Sequence, residues 1–321
     1  MHRQIPLLIG FLVLIVGCNH KPEYKNPVIH HNSPDPGVYY HEDNQTWYVY
    51  TTDRFAAKSK DLVNWTPLDT AKIFSSLGEG EIWDPVLNKR DDGYLYLNYT
   101  LNQRLYVARG KSPEGPFEYH AGPLVDHWSI GADYFKDDDG KEYLYWSEGG
   151  CEGTSGPWMG ELVNNMTALA NVQHLFNNAD VGKWVTECVV EGPFMLKHKG
   201  IYYLTFTGNA TGPNYAFGYA TAASPQGPFT MYKGNPLFKS TGNFIGPGHV
   251  GFRKSSDGNH LFAFYHSGYK TWPDGRYTCV VKAQFKPDPN GGIDILDVPA
   301  PSDSLLHYPE YEKIKNKNRN Q

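Results

Sequence analysis

Polar and aromatic positions recur along this chain in a fixed order. Five times a polar residue or a glycine is followed nine positions later by a turn residue, and an aromatic run comes next. The five pairs are Asp35 and Asn44, Asp84 and Gly93, Gly131 and Gly140, Glu191 and Gly200, and His249 and Gly258. Asn or Gly at the second position suits the positive φ of a hairpin turn. Each unit therefore predicts an inner strand, a hairpin and an aromatic second strand.

The spacing of these units predicts the architecture. The first members of the five pairs lie 49, 47, 60 and 58 residues apart. A repeat of this length is typical of propeller blades, whose four-stranded sheets bury their faces against their neighbours. We therefore predict an all-β fold, a five-bladed β-propeller with four-stranded antiparallel blades over residues 28–300. A β-sandwich of short strands is the alternative, but it gives no reason for five matching registers.

A second repeated motif marks the outer part of two blades. Residues 112–117 read Ser-Pro-Glu-Gly-Pro-Phe, and residues 224–229 read Ser-Pro-Gln-Gly-Pro-Phe. Proline cannot donate a hydrogen bond to a sheet ladder and is excluded from central strands. The motif therefore predicts turns or edges on the perimeter of the second and fourth blades.

Composition supports a sugar-binding β-protein and excludes one class of partner. Aromatic residues make up 15% of the 321 residues, with 23 Tyr and 8 Trp, beside 33 Gly and 23 Pro. This mixture favours many short strands joined by tight turns. The net charge is −5, and the only basic run lies at the extreme C-terminus, residues 313–319. Nucleic-acid binding is therefore not expected, and residues 301–321 are interpreted as a tail.

The N-terminus carries an export signal. His2 and Arg3 precede an apolar run from Ile5 to Val16, which is too short for a comfortable membrane span and fits a secretory segment. The run ends in Ile-Val-Gly-Cys, which resembles a bacterial lipobox with Cys18 as the lipidated residue. An ordinary signal peptide with a chance cysteine is the alternative. We expect a signal peptide over residues 1–18, a tether over residues 19–27 and an outer-membrane anchor on either face.

The other cysteines leave two arrangements open. Cys151, Cys188 and Cys279 lie far apart, and no Cys/His spacing matches a zinc site. One bridge with one free thiol is one arrangement. Three buried thiols that pack as small hydrophobes are the other.

Four motifs, taken in order along the chain, resemble glycoside hydrolase family 43. They are His-Asn-Ser-Pro-Asp-Pro-Gly-Val-Tyr-Tyr at residues 31–40, Val-Val-Glu-Gly-Pro-Phe at 189–194, Gly-Pro-Gly-His at 246–249, and Tyr-His at 265–266 with Gly-Arg at 275–276. The likeness covers about residues 28–287. It implies a five-bladed propeller in which Asp35 is the general base and Glu191 the general acid. It also implies an axial His249, near a calcium ion or a water cluster, and an Arg276 that faces the sugar.

The chain departs from the family pattern at two places. Blade two usually reads Trp-Ala-Pro in the family, but Asp84 stands where the alanine would be. Blade three usually has an aspartate after the isoleucine of its inner strand, but Gly131 stands there. The third carboxylate of the family is therefore missing from its position. Asp84 or Asp133 is expected to replace it, and the register favours Asp84. The replacement would raise the pKa of Glu191 or hold the sugar. For either residue, a salt-bridge or turn role is the alternative.

The paired carboxyls predict glycoside hydrolysis. The reaction needs one protonated and one ionised carboxyl, and inverting enzymes separate them by roughly 6.5–9.5 Å so that a water fits between. Blades one and four are not adjacent in a five-bladed ring, so Asp35 and Glu191 are placed to straddle such a gap. Either motif alone is also common as a turn or cap, and it is their joint position on the register that points to catalysis.

Further side chains are candidates for holding the sugar. Trp83 and Trp128 are expected to stack on sugar faces, with core packing as the competing interpretation. Arg276 is expected to clamp a hydroxyl, or else to be a surface arginine. His249 is expected either to hold a metal or water cluster on the axis or merely to fill the channel.

The sequence therefore predicts a secreted, lipid-anchored glycosidase. Its expected substrates are oligo- or polysaccharides with arabinofuranosyl, xylosyl or galactofuranosyl groups, cleaved in an exo manner and with inversion. No cofactor is expected to be required, and a structural calcium is the one metal that the resemblance suggests. We expect a monomer that touches the membrane only through its lipid. The alternatives are a propeller that binds glycans without cleaving them and a calcium-stabilised interaction scaffold.

Overall fold

Five four-stranded antiparallel sheets follow one another along the chain in the computed structural model, which describes residues 23–149, 155–255, 257–304 and 306–307. In each sheet the strands are hydrogen-bonded in chain order, from an inner strand to an outer one. The inner strands of successive sheets contact one another, and the last also contacts the first. The sheets thus form a closed ring, and the predicted five-bladed β-propeller is confirmed.

The blades have the following strands. Blade one consists of β2 (Gly37–His41), β3 (Thr46–Tyr50), β4 (Ala56–Ser59) and β5 (Trp65–Pro67). Blade two consists of β6 (Ile82–Lys89), β7 (Leu95–Leu101), β8 (Arg104–Gly110) and β9 (Glu118–Ala121). Blade three consists of β10 (Ile130–Lys136), β11 (Glu142–Glu148), β12 (Gly156–Val163) and β13 (Ala168–His174). Blade four consists of β14 (Val190–His198), β15 (Ile201–Gly208), β16 (Ala216–Ala222) and β17 (Thr230–Met231). Blade five consists of β18 (Phe244–Lys254), β19 (Leu261–Tyr269), β20 (Tyr277–Lys286) and β21 (Ile295–Asp297).

Few other elements occur in the described part of the chain. The helices are α1 (Thr70–Ile73) and α2 (Asn178–Val181), with a 3-10 turn at Thr52–Arg54. A separate two-stranded sheet pairs β1 (Glu23–Tyr24) with β22 (Leu306–His307). Within the described ranges, neither helix has the length and apolar character to cross a membrane.

Five apolar clusters, one at each boundary between neighbouring blades, make up the core. Strand β3 shows how one strand serves two of them. Trp47 and Val49 pack towards blade five, whereas Tyr48 and Tyr50 pack towards blade two. Successive side chains of a strand point to opposite faces, so a strand buried on both faces is apolar and aromatic throughout. This explains the aromatic run that follows each hairpin in the sequence.

The segment before blade one closes the ring against blade five. The side chain of Asn26 donates to the carbonyl of Val280 at 2.9 Å and accepts from its amide at 2.9 Å. The amide of Ser33 donates to the carbonyl of Arg276 at 2.8 Å. Residues more than 240 positions apart therefore hold the first and last blades together.

The repeated Ser-Pro-x-Gly-Pro-Phe motif forms turns between the outer strands, as predicted. Gly115 and Gly227 have φ of 58° and 86°, a region that favours glycine. The carbonyl of Pro113 accepts from the hydroxyl of Tyr50 at 2.5 Å, and that of Pro225 accepts from Tyr145 at 2.9 Å. The motif therefore links each of these turns to the preceding blade.

Several predictions concern residues outside the described ranges. The signal segment with Cys18, residues 19–22 of the tether, Cys151 and most of the C-terminal tail lie there. Of the remaining cysteines, Cys188 is disulfide-bonded and Cys279 is a buried free thiol. The arrangement with three free thiols is therefore wrong.

Candidate active site

The inner strands carry a bulge at the same height, and the residues in these bulges form the floor of a pocket on the axis. The ladder between the first and second strands shifts register at this height in blades two to five. The floor residues share a left-handed backbone with φ between 50° and 65°, and they are Asp35, Asp84, Gly131, Gly192 and His249. Glycine adopts this conformation freely, and Asp and His are enriched there among other residues.

Blade four differs by one residue from the register predicted from the sequence. Gly192, not Glu191, has the positive φ and lies in the floor. Glu191 directly precedes it, as Trp83 and Ile130 precede the floor residues of their blades, and these three side chains line the wall of the pocket. The glycine takes the left-handed position of the bulge, and the carboxyl of Glu191 is thereby set one layer above the floor.

A ring of hydrogen bonds between blades holds the floor in place. The amides of Asp84 and His249 donate to the hydroxyls of Thr52 and Thr207 of the preceding blades, at 3.1 and 2.9 Å. The amide of Gly131 donates in the same way to the hydroxyl of Thr100 at 3.3 Å. Between blades five and one the acceptor is an imidazole: the Asp35 amide donates to Nδ1 of His266 at 3.1 Å. Ser147 holds the corresponding place in blade three, but its hydroxyl has no hydrogen-bond partner among the described residues.

Asp35 lies in surroundings that favour its ionised form. The hydroxyl of Thr52 donates to Oδ2 at 2.7 Å, and Nη1 of Arg276 lies 3.1 and 3.2 Å from the two oxygens. Nδ1 of His266 lies 3.0 Å and Nδ1 of His249 3.6 Å from Oδ1. Burial raises the pKa of Asp35, but Arg276 and the two histidines outweigh it and hold that pKa well below its usual range. Asp35 is therefore an ionised carboxylate.

Asp84 lies beside Asp35 on the floor, and its pKa is shifted in the opposite direction. It is 6% exposed, and Oδ1 lies 3.5 Å from Nε2 of His249. Burial, followed by the negative charge of Asp35, raises the pKa of Asp84 well above its usual range. Asp84 also reaches the position where the third blade lacks a carboxylate, since a Cβ on Gly131 would lie 3.7 Å from its Oδ2.

Glu191 has a pKa suited to giving up a proton near neutral pH. Burial raises the pKa of its carboxyl to about 7, and the negative charges of Asp35 and Asp84 act in the same direction. The hydroxyl of Tyr215 contacts Oε1 at 2.8 Å and opposes the shift. One wall of the pocket thus carries a carboxyl that is largely protonated below pH 7, facing the ionised Asp35.

The pocket has the size and character of a site for one sugar ring. Its volume is about 250 Å³, and polar side chains dominate the lining. Trp83 offers an aromatic face, and Arg276, Asp53 and Thr211 offer hydrogen-bonding groups. Small-molecule sites combine such a stacking surface with a few placed polar groups.

Two predicted residues lie outside this lining. Trp128 is half-buried on the segment that leads into β10. Asp133 is 3% exposed and borders a separate cavity of about 30 Å³ beneath the floor. Its Oδ2 accepts from the amide of Met195 at 3.2 Å, and burial raises its pKa to about 7. Of the two candidates for the third carboxylate, Asp84 is the one in the sugar-sized pocket.

Three side chains on the axis could contact one metal ion, and alone they do not complete the coordination shell of calcium. Asp35, Asp84 and His249 can each bring one ligand atom within 4.8 Å of the others. Calcium takes six to eight oxygen ligands, whereas this group offers two carboxylates and an imidazole. Both ring nitrogens of His249 already face carboxylate oxygens. No catalytic step is assigned to a metal here.

Three residues of the site were not singled out from the sequence. Thr52 and His266 contact Asp35, and Tyr215 contacts Glu191. A signal for His266 existed, because an aromatic residue precedes the residue at this position in successive second strands. These pairs are Tyr99-Thr100, Trp146-Ser147, Phe206-Thr207 and Tyr265-His266. Tyr215 lies in a connection before β16 and has no counterpart in this repeat.

Comparison with known proteins gives one consistent family. The profile described as "Glycosyl hydrolases family 43" matches residues 24–290. A beta-D-galactofuranosidase of Aspergillus niger is 31% identical over 254 residues, which cover 72% of this chain and 71% of that protein. An arabinoxylan arabinofuranohydrolase of Bacillus subtilis is 28% identical over 317 residues, covering 77% of this chain and 60% of that protein.

Solved structures give the same picture. The crystal structure of a thermostable family-43 glycoside hydrolase superposes with a TM-score of 0.77 at 29% identity. The match covers 89% of this chain and 99% of that one.

Proposed function

Because the chain belongs to family 43 of the glycosyl hydrolases, we propose that its axial pocket removes single arabinofuranosyl, xylosyl or galactofuranosyl groups from glycans, with inversion at the anomeric carbon. The match over residues 24–290 confirms the family expected from the sequence motifs, and the protein is a glycosidase that acts on oligo- or polysaccharides. The choice of sugar, the exo mode and the residue roles are the proposal.

One observation carries the assignment of roles. Two carboxyls that line one pocket have environments that push their pKa values apart, downwards for Asp35 and to about 7 for Glu191. Such a contrast separates a general base from a general acid. The base takes a proton from a water molecule, and that water attacks the anomeric carbon. The acid gives its proton to the glycosidic oxygen as the bond to the leaving group breaks.

Neighbouring side chains have supporting roles in this proposal. Arg276 and Thr52 hold the carboxylate of Asp35 in place. Asp84 takes the position of the missing third carboxylate, because it reaches the space beside Gly131. Trp83 stacks on the sugar from the wall of the pocket.

The size of the pocket and the names of the relatives support the substrate class. A cavity of about 250 Å³ holds one sugar unit, which favours release of terminal groups. The relatives carry the names of a galactofuranosidase, an arabinofuranohydrolase and, in Streptomyces chartreusis, an extracellular exo-alpha-(1->5)-L-arabinofuranosidase. The last is 25% identical over 295 residues, covering 80% of this chain and 88% of that protein.

A glycan-binding propeller without catalysis is the weaker reading of the same fold. Its motivation in the sequence is the empty carboxylate position at Gly131. Since Asp84 extends to this position from the neighbouring blade, that motivation no longer holds.

A panel of 4-nitrophenyl α-L-arabinofuranoside, β-D-xyloside and β-D-galactofuranoside tests the proposal. We expect turnover of at least one of them, with inversion seen by NMR of the first-formed sugar. Asp35→Asn and Glu191→Gln should each lower kcat by a factor of about 100 or more, with the thermal melt nearly unchanged. Glu191→Gln should be less harmful with nitrophenyl than with alkyl leaving groups, since the former need less acid assistance. Wild-type rates in both variants would contradict the roles.

We also propose that the protein is exported as a monomer and held by a lipid on Cys18. The support is the apolar run that ends in Ile-Val-Gly-Cys. Metabolic labelling with a palmitate analogue should mark the wild-type chain and not Cys18→Ala. Labelling of both chains would refute the anchor.

A further inference from the structure

Two stacked rings lie behind the pocket, between the proposed base and the proposed acid. The rings of Tyr215 and His266 are nearly parallel, at 8°, with centroids 5.5 Å apart. Their side chains are almost fully buried, at 1% and 0% exposure. The hydroxyl of Tyr215 contacts Oε1 of Glu191 at 2.8 Å, and Nδ1 of His266 lies 3.0 Å from Oδ1 of Asp35. The two carboxyls are therefore joined through the side chains of Tyr215 and His266.

His266 departs from the pattern of the other blades. Thr52, Thr100 and Thr207 show that a hydroxyl is sufficient to accept the amide of the next floor residue. Blade five has an imidazole at this place instead. The larger ring stacks on Tyr215, which a threonine cannot do, and its Nδ1 also lies 3.0 Å from Oδ1 of Asp35.

The backbone around Tyr215 is built for this stack. A Cβ on Gly248 would lie 2.3 Å from Cε1 of Tyr215, so the tyrosine ring packs directly against a backbone without a side chain. Gly248 is also the partner of His266 in the ladder between β18 and β19. One residue of the inner strand thus supports both rings, which leaves neither of them free to shift.

We propose that Tyr215 and His266 act as a pair of positioning residues that sets the spacing and relative orientation of Glu191 and Asp35. Inversion requires room for one water between the two carboxyls. Small misplacements of a catalytic group cost large factors in rate, so a fixed spacer between acid and base raises kcat without touching the substrate. This inference rests on the roles proposed above for Asp35 and Glu191.

Two single variants separate the halves of the pair. Tyr215→Phe keeps the stacked ring and removes the contact with the acid. His266→Thr introduces the hydroxyl that serves in the other blades and removes both the stack and the contact with the base. We expect each to lower kcat by about ten- to a hundredfold with KM within twofold of wild type. Tyr219→Phe, a buried tyrosine whose hydroxyl accepts from Leu296 away from the pocket, is the matched control and should keep the wild-type kcat.

The leaving group distinguishes positioning from general loosening. Tyr215→Phe should be more harmful with a methyl than with a 4-nitrophenyl glycoside of the sugar that is turned over, because only the former depends on the acid. His266→Thr should affect both substrates equally, because both depend on the base. His266→Asn should have a higher kcat than His266→Thr, because the amide of asparagine can occupy the place of Nδ1. In the double variant the loss in kcat should be smaller than the product of the two single losses, because both substitutions disable the same spacer.

The outcomes decide between the inference and its alternatives. A kcat within twofold of wild type in both single variants overturns it, as does a loss that appears only in KM or follows a drop in melting temperature. Where His266→Thr unfolds the protein, Tyr215→Phe and His266→Asn carry the test. Asp35→Asn and Glu191→Gln are measured first. If these two variants keep activity, the assigned catalytic roles are wrong. If they lose activity and the Tyr215 and His266 variants keep it, only the spacer proposal is wrong.

Discussion

At the scale of single residues, the same functional group behaves differently according to its neighbours. Asp35 faces a guanidinium, a hydroxyl and two imidazoles, whereas Glu191 faces one hydroxyl and other carboxyls. These surroundings move the two pKa values in opposite directions. These opposite shifts distinguish the proposed base from the proposed acid.

The pKa of Glu191 predicts the basic side of the pH profile. The acid works only while protonated, and its pKa is about 7. We expect kcat/KM for an alkyl glycoside to fall as pH rises through about 7, by up to tenfold per pH unit above it. Glu191→Gln should lose this dependence along with most of the activity. Glu118→Gln, an exposed carboxyl on β9, is the control and should keep the wild-type profile. A wild-type profile flat from pH 6 to 9 would refute the assignment.

Asp84 is proposed to supply the third carboxylate in place of residue 131, and moving a carboxylate back to residue 131 tests this. Asp84→Ala should lower kcat by about 100-fold, since it removes the third carboxylate. Adding Gly131→Asp to Asp84→Ala should raise kcat again by at least tenfold. Asp35 and Asp84 show that aspartate adopts the left-handed backbone of the floor. Asp84→Ala with Gly131→Asn is the matched control and should show no recovery. Equal rates of the two double variants would show that no carboxylate is needed at this place.

At the scale of elements, the inner-strand bulge of blades two, three and five works together with an acceptor in the preceding blade. The bulge turns a floor residue towards the axis, and the acceptor binds its amide. Thr207 is fully buried and serves His249 in this way. Four of the five floor residues, Asp35, Asp84, Gly131 and His249, therefore depend on two blades, their own and the one before it.

The acceptor ring predicts a stability effect. Thr207→Val keeps the shape of the side chain and leaves the amide of His249 without its acceptor, which should cost about 1–3 kcal/mol in free energy of unfolding. Urea denaturation followed by tryptophan fluorescence measures this cost. Thr230→Val, on the exposed outer strand β17, should change the stability by less than about 0.5 kcal/mol. A Thr207→Val midpoint equal to that of wild type would contradict the role of the ring.

The sequence predicts these elements unevenly. Strands, hairpins and perimeter turns follow from the nine-residue spacing, the aromatic runs, the glycines and the prolines, which act locally. The exact height of Glu191 above the floor does not follow from the sequence pattern, because the bulge takes up one residue. Backbone sterics decide whether Glu191 or Gly192 takes the left-handed position. Tyr215 could not be found at all, since it reaches Glu191 from a connection that the repeat does not cover.

At the scale of the whole molecule, the core is divided among the blade boundaries rather than gathered at one centre. Close to the axis the space is polar, and beneath the floor lies a small cavity bordered by Asp133 and Arg253. Asp133 Oδ1 has no hydrogen-bond partner among the described residues. A buried carboxyl so placed makes stability depend on pH.

Asp133 predicts the direction of that dependence. Its pKa is about 7 in the folded protein against 3.8 for an ordinary aspartate, so the folded state holds its proton more tightly. Stability should therefore fall as pH rises from about 4 to about 7, by at most about 4 kcal/mol. Asp133→Asn should melt higher than wild type at pH 8 and nearly equally at pH 4, with activity retained. A variant that melts lower than wild type at pH 8 would show that the ionised form is stabilised.

Ring closure has a consequence for biosynthesis. Asp35 emerges early from the ribosome, but the guanidinium and the imidazole that complete its surroundings, Arg276 and His266, are translated more than 200 residues later. Nascent or prematurely terminated polypeptides thus carry the proposed base without its partners. With the roles proposed above, hydrolytic competence is expected only near the end of translation, when the final blade docks against the first.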